Sequence, residues 1–203
     1  MSTWRLYSLE GKDDKFTPSI RSTVKSIWVT YSALTGLCAL LLALAGMPVY
    51  DAINHALTTV STGGFSTRTE SIAAFDSRWV ELIISAFMIL GAINFALYYH
   101  LFKLNLRRVL ADVETKALVV IIIFAGMLVA LMLGLSGATV APTLTNSYFN
   151  VISAITTTGF TSADLLMWPL AAQVLLLILM LLGGSSGSTA SGMKLWRAIV
   201  LYK

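Results

Sequence analysis

Charged residues are scarce in this sequence. Asp, Glu, Lys and Arg make up 12% of the 203 residues, and 57% of the residues are hydrophobic. An ordinary soluble domain contains about 25% charged residues, so this balance excludes that class and predicts an integral membrane protein. The formal net charge is +4, but the basic residues cluster beside apolar segments. That distribution is typical of membrane topology signals, and we expect no nucleic-acid partner.

Cysteine and histidine are also scarce, and the sequence lacks the partners that a catalytic serine would need. The one cysteine, Cys38, lies in an apolar stretch, so we expect neither a disulfide nor a cysteine metal site. His55 and His100 lie on different segments and are expected to be packed side chains. Residues 183–187 fit the G-x-S-x-G pattern and residues 191–194 fit S-x-x-K. No acidic residue or histidine follows these motifs, so we expect neither an enzyme nor a covalently bound cofactor.

Long apolar runs recur four times along the chain. The runs cover residues 27–47, 80–101, 117–135 and 170–182. A helix of about 20 residues matches a hydrocarbon core of about 30 Å, and the first three runs are close to that length. The fourth run is followed by a glycine- and serine-rich segment, 183–192, which breaks its helix. The sequence therefore predicts an all-α integral membrane fold, with Asn94 making interhelical hydrogen bonds within the second span.

Basic residues set the expected orientation of these spans. Residues 1–26 are predicted to form a cytoplasmic loop and residues 102–116 a cytoplasmic linker, because both are rich in Lys and Arg. The C-terminal end is basic as well, so both termini are expected in the cytoplasm. The remaining segments, 27–101 and 117–203, form two predicted units.

Each unit contains the same short run of hydroxyl and glycine residues between its spans. Residues 61–66 are Ser-Thr-Gly-Gly-Phe-Ser, and residues 156–161, 95 positions later, are Thr-Thr-Thr-Gly-Phe-Thr. A short helix, too short to cross a membrane, is predicted before each run, with Asp51 capping the first helix and Asn146 the second. The chain therefore contains an internal repeat of span, short helix, non-helical run and span.

The position of these runs favours an ion path. Non-helical backbone at membrane depth is tolerated only inside protein or beside a water-filled cavity. Gly64 and Gly159 have conformations open to them that other residues avoid, so successive carbonyls can replace the hydration shell of a monovalent cation. The partially negative C-terminal ends of the short helices also favour a cation. The alternatives are close helix packing by small residues for the two runs, and a flexible cytoplasmic linker for residues 183–192.

Taken together, these motifs resemble one family. Two copies of helix, short helix, Thr-x-Gly-Phe-type run and helix, with residues 183–194 following the last apolar run, are similar to the Trk/Ktr/HKT superfamily of potassium transporters and its TrkH-type membrane subunit. The resemblance implies that potassium is the transported species. It implies filter carbonyls supplied or flanked by Thr62, Gly63, Gly64, Thr157, Thr158 and Gly159. It also implies an intramembrane gating loop that includes Gly183, Gly184, Ser185, Gly187, Ser188, Gly192 and Lys194.

The resemblance further implies partners and a location. The family has four repeats around one pore, and this chain matches the second and third. We therefore expect a fragment without the first and fourth repeats or, less favoured, a homodimer that supplies four filter strands. The expected location is the plasma (inner) membrane, multi-pass and in contact with lipid, with a cytoplasmic nucleotide-binding regulatory subunit. The alternative function is a non-conducting, truncated membrane interaction protein that pairs with a full-length subunit.

Overall fold

The computed structural model describes residues 20–102, 112–136 and 140–202, and all its regular elements in these ranges are helical. The expected all-α class is therefore confirmed for these residues. The α-helices are α1 (Ile20–Leu44), α2 (Val49–Val60), α3 (Arg78–Ala92), α4 (Phe95–Phe102), α5 (Val113–Leu135), α6 (Val140–Ile155), α7 (Leu170–Leu182) and α8 (Leu195–Tyr202). Short 3-10 helices occupy Ser71–Phe75 and Leu165–Met167.

Two of these helices are long and apolar enough to cross a membrane. They are the segment Val24–Leu44 of α1 and the whole of α5. Both carry large apolar side chains on their outer surfaces, among them Trp28 and Phe124. A helix that is apolar on its outer as well as its inner side is typical of a membrane span.

The first helix of each half begins earlier than its apolar run. α1 begins at Ile20, so residues 20–26 are helical and not part of a loop, while residues 1–19 lie outside the described ranges. α5 begins at Val113 because Asp112 caps it, accepting a hydrogen bond from the Thr115 N–H at 2.8 Å. The predicted linker is therefore helical at both ends, and its middle, 103–111, lies outside the described residues.

The two predicted caps of the short helices are wrong. α2 begins after Pro48, whose φ of −52° suits a helix start, and Asp51 lies inside the helix. The Asp51 carboxylate instead accepts hydrogen bonds from Thr67 and Arg68. α6 begins at Val140, so Asn146 lies in its interior, where its Oδ1 accepts a hydrogen bond from the Ser162 hydroxyl at 3.2 Å.

The predicted continuous span 80–101 is also wrong, because it is broken between α3 and α4. Ile93 is extended, with φ −83° and ψ 146°. Among the described residues, the Asn94 side chain makes no hydrogen bond to another helix. Its Oδ1 accepts a hydrogen bond from the Ala96 N–H at 2.9 Å, which caps α4. This break provides backbone groups to which the loop after α7 binds.

The helices pack in the same way in both halves of the chain. α2 packs against α1 and α3, and α6 packs against α5 and α7. The two halves meet where α3 packs against α6. Fully buried side chains fill these contacts, including Leu42, Ile84, Met88, Leu118 and Ile155. This packing brings the segments that follow α2 and α6 next to each other.

Candidate ion-conducting site

The segments after α2 and α6, residues 61–66 and 156–161, form two turns with matching hydrogen bonds. In the first turn the Gly63 N–H donates to the Thr58 carbonyl at 2.8 Å; in the second, the Thr158 N–H donates to the Ser153 carbonyl at 2.9 Å. The hydroxyls of Thr58 and Ser153 donate to the carbonyls seven residues later, at 2.9 and 2.7 Å. In each of these pairs the residues of the second turn lie 95 positions after their counterparts, so the sequence repeat is also a repeat of local structure.

Both turns hold residues at matched positions in the left-handed region. Thr62 has φ 54° and Thr157 has φ 56°, while Gly64 has φ 70° and Gly159 has φ 90°. Successive carbonyls along an extended strand point to opposite sides, and a residue in the left-handed region interrupts that alternation. A threonine with positive φ costs energy, and such strain is concentrated at functional sites.

The two turns touch at Gly64. A Cβ atom on Gly64 would lie 1.8 Å from the carbonyl oxygen of Thr158, so only glycine permits this approach. At the matching position in the second turn, a Cβ on Gly159 would meet no described atom within 4 Å. The first turn is therefore covered by the second, while the corresponding side of the second turn is open.

A polar cluster on α2 supports the first turn. His55 is 0% exposed; its Nδ1 pairs with the Asp51 carbonyl at 2.7 Å and its Nε2 with the Ser66 hydroxyl at 2.9 Å. Its ring lies 5.8 Å from that of Phe160, stacked at 29°. His55 therefore links the first turn to the second. At the equivalent position of α6, Asn150 donates to the Ser162 hydroxyl at 3.0 Å.

Asp51 fixes the chain that leaves the first turn. Its carboxylate accepts hydrogen bonds from the Thr67 hydroxyl and the Arg68 guanidinium, both at 2.6 Å. These two hydrogen bonds lower the pKa of this carboxyl, which lies on a helix too short to span a membrane. Asp51 is thus held ionised where it ties α2 to residues 67–68.

The loop formed by residues 183–194 lies against both turns. The Thr189 hydroxyl lies 2.8 Å from the Val60 carbonyl and 2.9 Å from the Gly91 carbonyl, and the Thr189 carbonyl accepts a hydrogen bond from the Thr62 hydroxyl at 2.9 Å. The Ser191 N–H donates to the Thr157 hydroxyl at 2.7 Å. The loop therefore contacts the beginning of both turns.

Internal contacts close this loop on itself. A Cβ on Gly183 would lie 2.0 Å from the Ser191 carbonyl oxygen, so its two ends are in contact. The Ser188 hydroxyl donates to the Ser185 carbonyl at 2.6 Å, and the Lys194 ammonium donates to the Ala190 carbonyl. Hydrogen bonds to the α3–α4 break run from the Ser185 N–H to Ala92 and from the Phe95 N–H to the Gly187 carbonyl. Gly184 packs against Ala92 and Gly192 against Gly183.

The donors available to an ion here are carbonyl and hydroxyl oxygens. Within the described ranges, no group of three or more His, Cys, Asp or Glu side chains is placed to hold a metal. Oxygen donors without a cluster of carboxylates suit a hard monovalent cation held by carbonyls.

Residues 5–203 match the family model described as "TrkH: Cation transport protein". The chain belongs to the TrkH family. This is a family of membrane cation transporters and not of enzymes.

Members of the TrkH family with curated names are similar over most of the chain. The "Trk system potassium uptake protein TrkH" of Halomonas elongata is 39% identical over 196 residues, which is 95% of this chain and 40% of that protein. The TrkH of Escherichia coli K12 is 36% identical over 195 residues, and its TrkG 38% over 199 residues, each again covering 95% of this chain and 40% of the relative. The chain spans about 40% of the length of these relatives.

A solved member of the TrkH family has the same fold. The crystal structure of "the Potassium Transporter TrkH from Vibrio parahaemolyticus" superimposes with a TM-score of 0.86 at 36% identity. The match covers 92% of this chain and 41% of that chain.

Sequence reasoning underestimates one residue of this site and does not identify another. The sequence predicts a simply packed His55, yet this side chain links the two turns. Nothing in the sequence distinguishes Thr189, whose hydroxyl lies between carbonyls of α2 and α3. For His55 a signal exists in the sequence, because the alignment of α2 with α6 places Asn150 at the equivalent position and both repeats therefore have a polar side chain there. For Thr189 no local signal exists, because its partners are 129 and 98 residues away.

Proposed function

We propose that this chain forms part of a membrane pathway for potassium uptake. The six residues expected to supply or flank filter carbonyls all lie in the two turns, and the observation that carries the proposal is the contact of these turns at Gly64 and Thr158. Two adjacent, equivalent segments with left-handed residues at matched positions are suited to face carbonyls toward one axis. The family and its named potassium uptake relatives support the same ion.

The loop of residues 183–194 is the proposed gate. Its hydrogen bonds to Thr62 and Thr157 place it directly against both turns. In its present conformation it is tied to α2, α3 and both turns, and we infer that ions pass when these bonds open. Glycines at both ends of the loop allow it to fold back on itself, as Gly183 does against Ser191.

The open side of the second turn is the argument for a filter ring with more than two segments. Gly159 corresponds to Gly64, whose equivalent side is filled by a carbonyl of the next turn. We propose that the same kind of segment fills the side of Gly159, supplied by further repeats of a longer protein or by a second copy of this chain. Both described turns would face the outer side of the inner membrane, with both chain ends and a nucleotide-binding regulatory subunit on the cytoplasmic side.

Complementation tests the proposal. The 203-residue chain is expressed alone, and also in place of the matching 40% of the Escherichia coli TrkH relative, in bacteria that lack potassium uptake. We expect the chimera to restore growth at low potassium and rubidium uptake, and Gly159→Ser in it to abolish both. Uptake by the chain alone would indicate that a second copy completes the ring. A chimera that reaches the membrane in normal amount without any uptake would contradict the proposal.

A further inference from the structure

Glu114 is an acidic side chain buried at the start of α5, in contact with the loop. It is 1% exposed, and its Oε2 accepts a hydrogen bond at 2.7 Å from the Ser186 N–H, 72 residues later in the chain. Burying a carboxylate is costly unless hydrogen bonds compensate for its lost hydration. The bond from the loop is therefore part of what keeps this charge inside the protein.

The bond to Glu114 differs in kind from those of its neighbours in the loop. The Ser185 N–H donates to the Ala92 carbonyl at 3.0 Å, and the Gly187 carbonyl accepts from the Phe95 N–H at 3.1 Å. Both of these are backbone bonds to the α3–α4 break in the first half of the chain. The bond to Glu114 comes from the second half and involves a charged side chain, which makes it shorter and stronger than a neutral bond.

α5 holds Glu114 at a defined position. The Asp112 carboxylate accepts hydrogen bonds from both the N–H and the hydroxyl of Thr115, at 2.8 and 2.7 Å, which fixes the first turn of the helix. Glu114 lies within that turn, where the positive end of the helix dipole favours a carboxylate. The loop is therefore fastened on one side to the α3–α4 break and on the other to the start of α5.

We propose that Glu114 is a positioning residue that holds the loop in the conformation bridging the two turns, so that the strength of this contact sets how readily the loop opens. The inference rests on the proposed gating role of the loop. Removing the carboxylate leaves the Ser186 N–H without this acceptor, while the backbone bonds to α3 and α4 remain. The loop then loses this bond to the start of α5.

Cysteine accessibility in membrane vesicles tests this with the full 203-residue chain. Ser185 is the reporter position, because it is 0% exposed and its hydroxyl makes no hydrogen bond among the described residues. In a Ser185→Cys background, a water-soluble thiosulfonate labels the new thiol only when the loop opens. Losing a charge-assisted hydrogen bond corresponds to roughly a tenfold or larger change in an equilibrium, so we expect Glu114→Ala to raise the labelling rate about tenfold or more.

Matched variants separate positioning from damage to the fold. Glu114→Gln has the same shape without the charge and is expected to give an intermediate rate. Glu81→Ala removes a carboxylate from the first turn of α3 and is expected to leave the rate unchanged. The native Cys38, 0% exposed, reports unfolding in the same molecules when labelling is resolved by mass spectrometry.

The outcomes distinguish this inference from the proposed function. An unchanged rate in Glu114→Ala with Cys38 still protected overturns the positioning role, whether or not the chain carries potassium. If Cys38 becomes labelled in Glu114→Ala, that variant has unfolded and Glu114→Gln is used in its place. An unchanged labelling rate in Glu114→Gln also overturns the positioning role. If Glu114→Ala speeds labelling but neither the chain alone nor the chimera carries potassium, the positioning role of Glu114 is supported while the transport proposal is contradicted.

Discussion

Gly64→Ala should disrupt the contact between the two turns. The new methyl group would lie 1.8 Å from the Thr158 carbonyl oxygen, whereas ordinary contacts begin at 3.4 Å, so the turns must separate by about 1.6 Å or rotate. Alanine also has to adopt a φ of 70°, which costs about 1–2 kcal/mol. Overpacking adds about 1–3 kcal/mol, so we expect a total destabilisation of roughly 2–5 kcal/mol.

Two other glycines provide graded controls. Gly159→Ala requires a similar φ of 90° but meets no described atom within 4 Å, so it should cost only the conformational part, about 1–2 kcal/mol. Gly36→Ala on α1 has neither a positive φ nor a neighbour within 4 Å and should stabilise the helix by about 0.5–1 kcal/mol. The expected order of stability is therefore Gly36→Ala, native, Gly159→Ala and Gly64→Ala.

Thermal unfolding in detergent, followed by size-exclusion chromatography, measures this order for the 203-residue chain. Rubidium uptake by the chimera measures the functional consequence, because moving the Thr158 carbonyl by more than 1 Å removes an oxygen from the proposed ring. We expect at least a tenfold loss of uptake for Gly64→Ala. In the chimera, Gly159→Ala should become as damaging as Gly64→Ala if another segment fills its open side. Equal stabilities of Gly64→Ala and Gly159→Ala in the isolated chain would refute the reasoning.

Two further predictions concern the groups that join the turns to their surroundings. Thr189→Val keeps the side-chain shape but removes the hydroxyl near the Val60 and Gly91 carbonyls. It should cost about 1–3 kcal/mol of stability and raise uptake. The control Ser188→Ala removes a bond that stays within the loop, so it should change uptake less. Unaltered uptake in Thr189→Val would argue against this attachment. His55→Asn introduces the residue found at the equivalent position of α6 and removes the ring stacked on Phe160; the lost aromatic contact should cost about 0.5–1.5 kcal/mol beyond the lost burial. A native melting temperature in His55→Asn would mean that this ring does not couple the turns.

Local features of the sequence accounted for much of the fold. The apolar run 170–182 coincides with α7, because its composition favours a helix and Gly183, at φ 72°, ends it. The 95-residue repeat identified two turns whose hydrogen bonds match position by position. These features depend on neighbouring residues, so one sequence is enough to recognise them.

The break between α3 and α4 had no comparable local signal. Residues 80–101 are apolar and contain no proline, and helical periodicity continues through Asn94. The last carbonyls of α3, on Gly91 and Ala92, accept hydrogen bonds from the N–H groups of Thr189 and Ser185. A loop about 95 residues away in the chain thus provides the partners that a broken helix needs, and no local rule includes them.

The predicted caps failed for a related reason. Asp51 and Asn146 are residue types that cap helices, but each bonds to the chain 16 or 17 residues later. The local preference was overridden by partners that the returning chain brings close.

The sequence by itself determined that the protein lies in a membrane, that it is helical, that it contains a repeat, and where the two glycine turns fall. These properties depend on composition or on neighbouring residues, as apolar runs, charge and glycine do. Only the tertiary structure decided that the turns touch at Gly64 and Thr158, that His55 joins them, and that Glu114 holds the loop beside them. These contacts depend on the distance and direction between groups far apart in the chain, and such geometry exists only once the helices have packed.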